Sequence, residues 1–75
     1  MGYKVLLLVD NGIISIVDFN EDEMVLQNKK DEMDKFIGKG TKVYIENTDL
    51  DKAGIKRLRT NVIELRRVFG HLLDR

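Results

Sequence analysis

The sequence predicts an α+β fold, a small and mostly antiparallel sheet packed by a short helix and a long carboxy-terminal helix. Three observations carry that expectation. Two runs rich in β-branched and large apolar residues, Tyr3–Val9 and Ile13–Phe19, flank Asp10-Asn11-Gly12. Thr41–Asn47 alternates, with Val43 and Ile45 pointing one way and Lys42, Tyr44 and Glu46 the other. From Asp49 to Leu73, the residues Ile55, Leu58, Val62, Leu65, Phe69 and Leu72 recur at alternating steps of three and four, the spacing of one helical stripe.

The amino-terminal element is a hairpin. Asn-Gly is the strongest short hairpin signal, because a type I′ turn needs positive φ at both central positions. With Asn11 and Gly12 as the loop, Val9 pairs with Ile14, Leu7 with Ile16 and Val5 with Asp18. Tyr3, Val5, Leu7, Val9, Ile14 and Ile16 then share one face. Lys4, Leu6, Leu8, Ile13, Val17 and Phe19 share the other, with Ser15 among them. A half-exposed antiparallel hairpin alternates apolar with polar, and this one is apolar on both faces. Its second face therefore requires a cover, either a helix of the same chain or a partner.

Asn20-Glu21-Asp22-Glu23 reads as a polar turn and Met24–Gln27 as a short third strand. Asn28, with Asp31 three residues on, suits an N-cap. The helix it starts carries Met33, Phe36 and Ile37 on one face and stops at Gly38-Lys39-Gly40. After the strand Thr41–Asn47, Thr48-Asp49-Leu50-Asp51 resembles a capping box that opens the long helix. Gly54 lies near that helix's start. Gly70 is either a left-handed C′ residue or a position the helix runs through.

The chain of 75 residues reads as one domain, residues 1–75, with one core and a thin stability margin. With no cysteine it has neither a disulfide framework nor a thiolate zinc site. The run Val5–Val9 is too short for a signal peptide, and no segment approaches the roughly 20 apolar residues of a membrane span. Position six is Leu6, which breaks a myristoylation signal. The expectation is a cytoplasmic protein with no membrane partner. Acidic and basic residues balance at 13 each, yet carboxylates predominate before Gly40 and cations after it. Such a split can hold the chain to itself, or to a second copy, as readily as it attracts another molecule.

Four constellations bear on function. Ile55, Val62 and Phe69 with Leu58, Leu65 and Leu72 could form a coiled-coil seam over about three heptads, or the face of a helix laid across a sheet. Sheet packing is the preferred reading, since helices laid across sheets ordinarily show this spacing, and the two can coexist because Ile63, Val68 and Leu73 widen the apolar arc beyond a seam. Together with the doubly apolar hairpin, this leaves more apolar surface than so small a body easily hides, and a homodimer is expected. On a continuous helix Lys52, Lys56, Arg59, Arg66 and Arg67 fall in one arc of about a quarter turn, with Ile63 in its midst. Such a row suits phosphates, because each arginine can make paired hydrogen bonds, but the overall charge is near zero and no aromatic is interleaved. The same residues can steer a protein partner.

Asp18-x-Asn20-x-Asp22 imitates the opening of an EF-hand loop, but position six is Glu23 and position twelve is Lys29, so no metal site is expected. Catalytic signatures are missing as well. His71 is the only histidine, placed by the helical wheel near Arg67 and Glu64, and Ser15 is the only serine, buried in the hairpin by pattern. A carboxylate pair such as Asp10 with Asp18 would need a pocket the sequence does not announce. The expectation is therefore a small non-catalytic, regulatory binding protein without a cofactor, which acts through a protein–protein interface formed by Lys52, Lys56, Arg59, Ile63, Arg66 and Arg67. The alternative is nucleic-acid backbone binding through the same residues.

Overall fold

In a computed structural model, which describes residues 2–74, the chain forms an antiparallel three-stranded sheet covered by helices on both faces. The elements run β1 (Tyr3–Asp10), β2 (Ile13–Asn20), α1 (Glu23–Asp34), β3 (Thr41–Thr48), α2 (Lys52–Arg59) and α3 (Val62–Phe69), followed by a 3-10 helix, Gly70–Asp74. The strand order is β2-β1-β3, with β1 antiparallel to both neighbours. The fold is α+β.

The hairpin turns as its residues require, with Asn11 at φ 52° and Gly12 at φ 76°. Val9 lies opposite Ile14 and Leu7 opposite Ile16, as the loop dictates. Beyond that point the register departs from simple pairing. Leu6 faces Asp18 while Leu7 faces Ile16, so Val17 bulges out without a partner and Val5 meets Phe19 rather than Asp18. The slip of one residue turns Phe19 onto the face expected to lack it. There its ring meets Tyr3 edge-on at 5.7 Å.

Because β2 and β3 are both antiparallel to β1, they run parallel to each other, and the chain between them must cross over the sheet. Helix α1 makes that crossing. It packs Leu26 against Leu6 and Val43, with Leu8, Val17, Met33, Ile37 and Ile45 around them. The opposite face, Val5, Leu7, Ile14 and Ile16, lies under Ile55, Leu58, Leu65, Phe69 and Leu72. Val5, Leu6 and Leu7 are consecutive and at most 1% exposed, as expected of a central strand covered on both sides. The hairpin's second face is thus covered from within the chain. The short helix is opposite the carboxy-terminal helices rather than beside them. The cover is incomplete at the edge strand, where Ser15, expected to be buried, is exposed and Ile13 is 62% exposed.

Helix α1 starts at Glu23, not after Asn28, and takes in Met24–Gln27, which the sequence suggested as a strand. Asp22 is its N-cap, accepting from the Met24 amide at 2.9 Å, while Asn20 accepts from the Asp22 amide at 2.8 Å. The inward stripe Leu26-Lys30-Met33, continued past the helix end by Ile37, has a lysine in it, which hid the helical period. The Lys30 ammonium escapes to Asp34 at 2.8 Å while its stem lies along the stripe. The helix ends at Asp34, short of Phe36, which is left 84% exposed rather than on the packed face.

The expected helix from Asp49 to Leu73 is divided. A continuous helix of that span would be about 37 Å long, against about 27 Å for strands of eight residues, and would overhang the sheet. Division lets both halves lie on it. Helix α2 is capped by Asp51, which accepts from the Gly54 amide at 2.7 Å; Thr48 instead accepts from the Leu50 amide at 3.2 Å. Asn61, at φ −116° and ψ 93°, leaves helical geometry and caps α3 by accepting from the Glu64 amide at 3.1 Å. The stripe packs on the sheet and not on a coiled-coil partner. Val62, the first residue after the break, drops out of it and is 60% exposed. Gly70, at φ −59°, is neither a left-handed cap nor an α-helical interior position but the start of the 3-10 helix.

Candidate binding surface

The break at Thr60-Asn61 shapes the surface that the sequence singled out. On α2, Lys52, Lys56 and Arg59 follow each other at steps of four and three, sharing one exposed flank. On α3, Ile63 is 75% exposed, and Arg66 and Arg67 follow it at three and four. The quarter-turn arc computed for an unbroken helix does not exist, and the cations form two groups. Between α2 and α3 lies an open groove of about 270 Å³ lined by Leu50, Gly54, Arg57, Leu58, Asn61, Glu64 and Val68. None of the six residues expected to bind lines it. Gly54 and Arg57 lie across α2 from Lys52, Lys56 and Arg59, which are therefore turned away from α3.

Of these three cations, Arg59 and Lys52 lie at the hairpin. Arg59 donates from Nη2 to the carbonyl of Val17, the residue at the bulge, at 3.1 Å. Lys52 borders a shallow depression with Tyr3, Phe19, Asn20 and Glu21. Lys29 pairs with Asp18 from the other side of β2. Partial burial pushes the Asp18 carboxyl up, but the Lys29 ammonium, the Phe19 amide and the charge of Arg59 together outweigh it and hold the group below its ordinary value. On α3, Arg67 pairs with Glu64 at 3.4 Å, in keeping with their spacing.

Groups considered for catalysis or metal binding are dispersed. Asp18 faces Leu6 and Asp10 faces Ile13, so the two carboxylates sit about four residues, or roughly 13 Å, apart along the sheet. The Asp18-x-Asn20-x-Asp22 series is occupied by Lys29, by the Asp22 amide and by the Met24 amide in turn. His71, in the 3-10 helix, reaches Glu46 on β3 rather than Glu64, its Nε2 2.9 Å from Glu46 Oε1. Among the described residues no three His, Cys, Asp or Glu side chains converge as a metal cluster would, and no helix is long and apolar enough to cross a membrane.

Sequence reasoning missed the groove. Its signal was present: Asn61-x-x-Glu64 has the form of a capping box inside the apolar run, and a cap there means a second helix start. No family model matches the chain, and no curated protein or solved structure is detectably similar to it.

Proposed function

We propose that the chain is a small non-catalytic binding protein of regulatory type, which works through a protein–protein interface and as a homodimer. The surface given to the partner is the outer side of α2 and α3: the groove between them, Ile63, Arg66 and Arg67 on α3, and Lys52, Lys56 and Arg59 on the far flank of α2. The observation that carries this reading is the exposed apolar side chains on these elements. Val62 and Ile63 are 60% and 75% exposed, and Leu50 and Val68, which line the groove, are 37% and 42% exposed. A groove lined by Leu50, Leu58 and Val68, with Arg57 and Glu64 in its walls and Val62 and Ile63 exposed on α3, suits a protein partner whose side chains fill the groove.

Nucleic-acid backbone binding would use the same cations. The arrangement favours it less, because the cations are split between two helices, Arg59 serves the Val17 carbonyl and Arg67 serves Glu64. Two measurements separate the readings. Binding to generic duplex and single strands is followed across a salt series; tight binding that falls steeply with salt and is lost on reversing Arg59 and Arg66 would favour the backbone reading. Proteins retained from host lysate by the wild-type chain are compared with those retained by Ile63→Asp and Val68→Asp. Loss in both variants supports the protein interface, and unchanged retention refutes it.

A further inference from the structure

The two edges of the sheet are not alike. On β2 the ladder is interrupted by the Val17 bulge, and Arg59 occupies the Val17 carbonyl. Bulges and side chains placed over edge groups are devices by which proteins block strand addition. The other edge, β3, pairs continuously with β1 from Thr41 to Thr48 and has no bulge. Its outer row of main-chain donors and acceptors is a template for another strand.

We infer that β3 is a homodimer seam: two copies pair their β3 strands antiparallel about a twofold axis at Tyr44, making one six-stranded sheet. The inference rests on the reading of the chain as a self-associating binding protein and supplies its contact. The occupant is chosen by the sequence of the strand itself. In an antiparallel ladder directly opposed residues direct their main-chain groups alike, so a symmetric pairing must place a residue opposite its own copy. With Tyr44 on the axis, Lys42 lies opposite the partner's Glu46, and Glu46 opposite the partner's Lys42. Val43 lies opposite the partner's Ile45, and Ile45 opposite the partner's Val43. Opposed side chains share a face and touch. One face of the seam therefore has a tyrosine pair between two lysine–glutamate pairs. The other joins Val43 and Ile45 to their copies, extending the apolar cluster they already form with Leu6 and Leu26. Moving the axis by one residue in either direction removes both charge pairs, and moving it by two sets lysine against lysine or glutamate against glutamate.

Each group in the seam already has a role in its own chain. Glu46 holds His71, and Lys42 and Tyr44 have intrachain partners. A carboxylate with two oxygens and an ammonium with three donors can serve both chains at once.

Lys42 and Glu46 are about 13 Å apart along one strand, too far to compensate for each other within a chain. That distance makes charge exchange decisive. The full chain is sedimented at low salt from micromolar to millimolar concentration as wild type, as Lys42→Glu, as Glu46→Lys, and as an equal mixture of the two variants. The wild type should dimerise, and each variant alone should raise the dissociation constant about tenfold or more, since both charge pairs of the dimer turn repulsive. The mixture should recover association near wild type, because a chain with two glutamates then faces a chain with two lysines. A wild type that stays at the single-chain mass overturns the seam, as does a mixture no tighter than its components. Neither failure touches the α2–α3 surface, because capture by wild type and by Ile63→Asp reads that surface separately.

Discussion

Replacing Asn61 with alanine isolates the residue that divides the carboxy-terminal helix. The side chain accepts from the Glu64 amide at 3.1 Å, and Asn61 is exposed, so its removal opens no cavity. The loss is that of an N-cap, typically about 1 kcal/mol and within roughly 0.5–2 kcal/mol. For a chain of this length 1 kcal/mol corresponds to a fall in Tm of roughly 4–8 °C. Far-UV circular dichroism during thermal and urea unfolding would measure it, with the helical signal of the folded state and the urea slope unchanged. Asn61→Asp keeps the acceptor and adds a negative charge at a helix start, so it should unfold near wild type. A Tm that is unchanged or higher in the alanine variant, with a larger helical signal, would mean that α2 and α3 had fused along the stripe that includes Val62. The length of the sheet would then not be what divides the helix.

Leu26→Ala removes the fully buried anchor of α1 and should cost about 2–5 kcal/mol, against a total of roughly 4–11 kcal/mol for a chain of 75 residues; urea unfolding gives the figure. Gly12→Ala forces a side chain onto a residue at φ 76° and should cost about 1–2 kcal/mol, read as a lower urea midpoint. Acid unfolding carries a third signature. The folded Asp18 carboxyl titrates below its ordinary value of 3.8, so it contributes stability that is fully present above that value and lost as pH falls through the lower, folded one. Asp18→Asn should therefore lower stability at neutral pH and flatten its decline below about pH 4, and a decline as steep as in wild type would refute the assignment.

The elements whose signals are local were legible in the sequence. Asn11-Gly12 determined the hairpin, and alternation determined β3. The doubly apolar hairpin required a cover on each side, and the three-four spacing chose Ile55, Leu58, Leu65, Phe69 and Leu72 for the core. Helix α1 was legible only in its second half; its first turns, Met24–Gln27, read as a strand, since Lys30 interrupts the stripe and shows its compatibility only when Asp34 takes the ammonium. Of the candidate surface, the exposed Ile63 and the cations were legible, but their arrangement was not, because a helical wheel assumes an unbroken helix.

Local pattern by itself determined the hairpin and most of the core stripe, Ile55, Leu58, Leu65, Phe69 and Leu72, but not the exposure of Ser15, Phe36 or Val62. Tertiary structure alone decided where the elements stop and what faces what. A long stripe is satisfied by either one helix or two, and the length of the sheet beneath it, together with the Asn61 cap, selects two. Likewise, the Val17 bulge moves Phe19 across the sheet because the ring gains Tyr3, a contact with no trace in the local spacing. Burial against a distant surface is a property of the packed whole, and it overrides the period of a single segment where the two disagree.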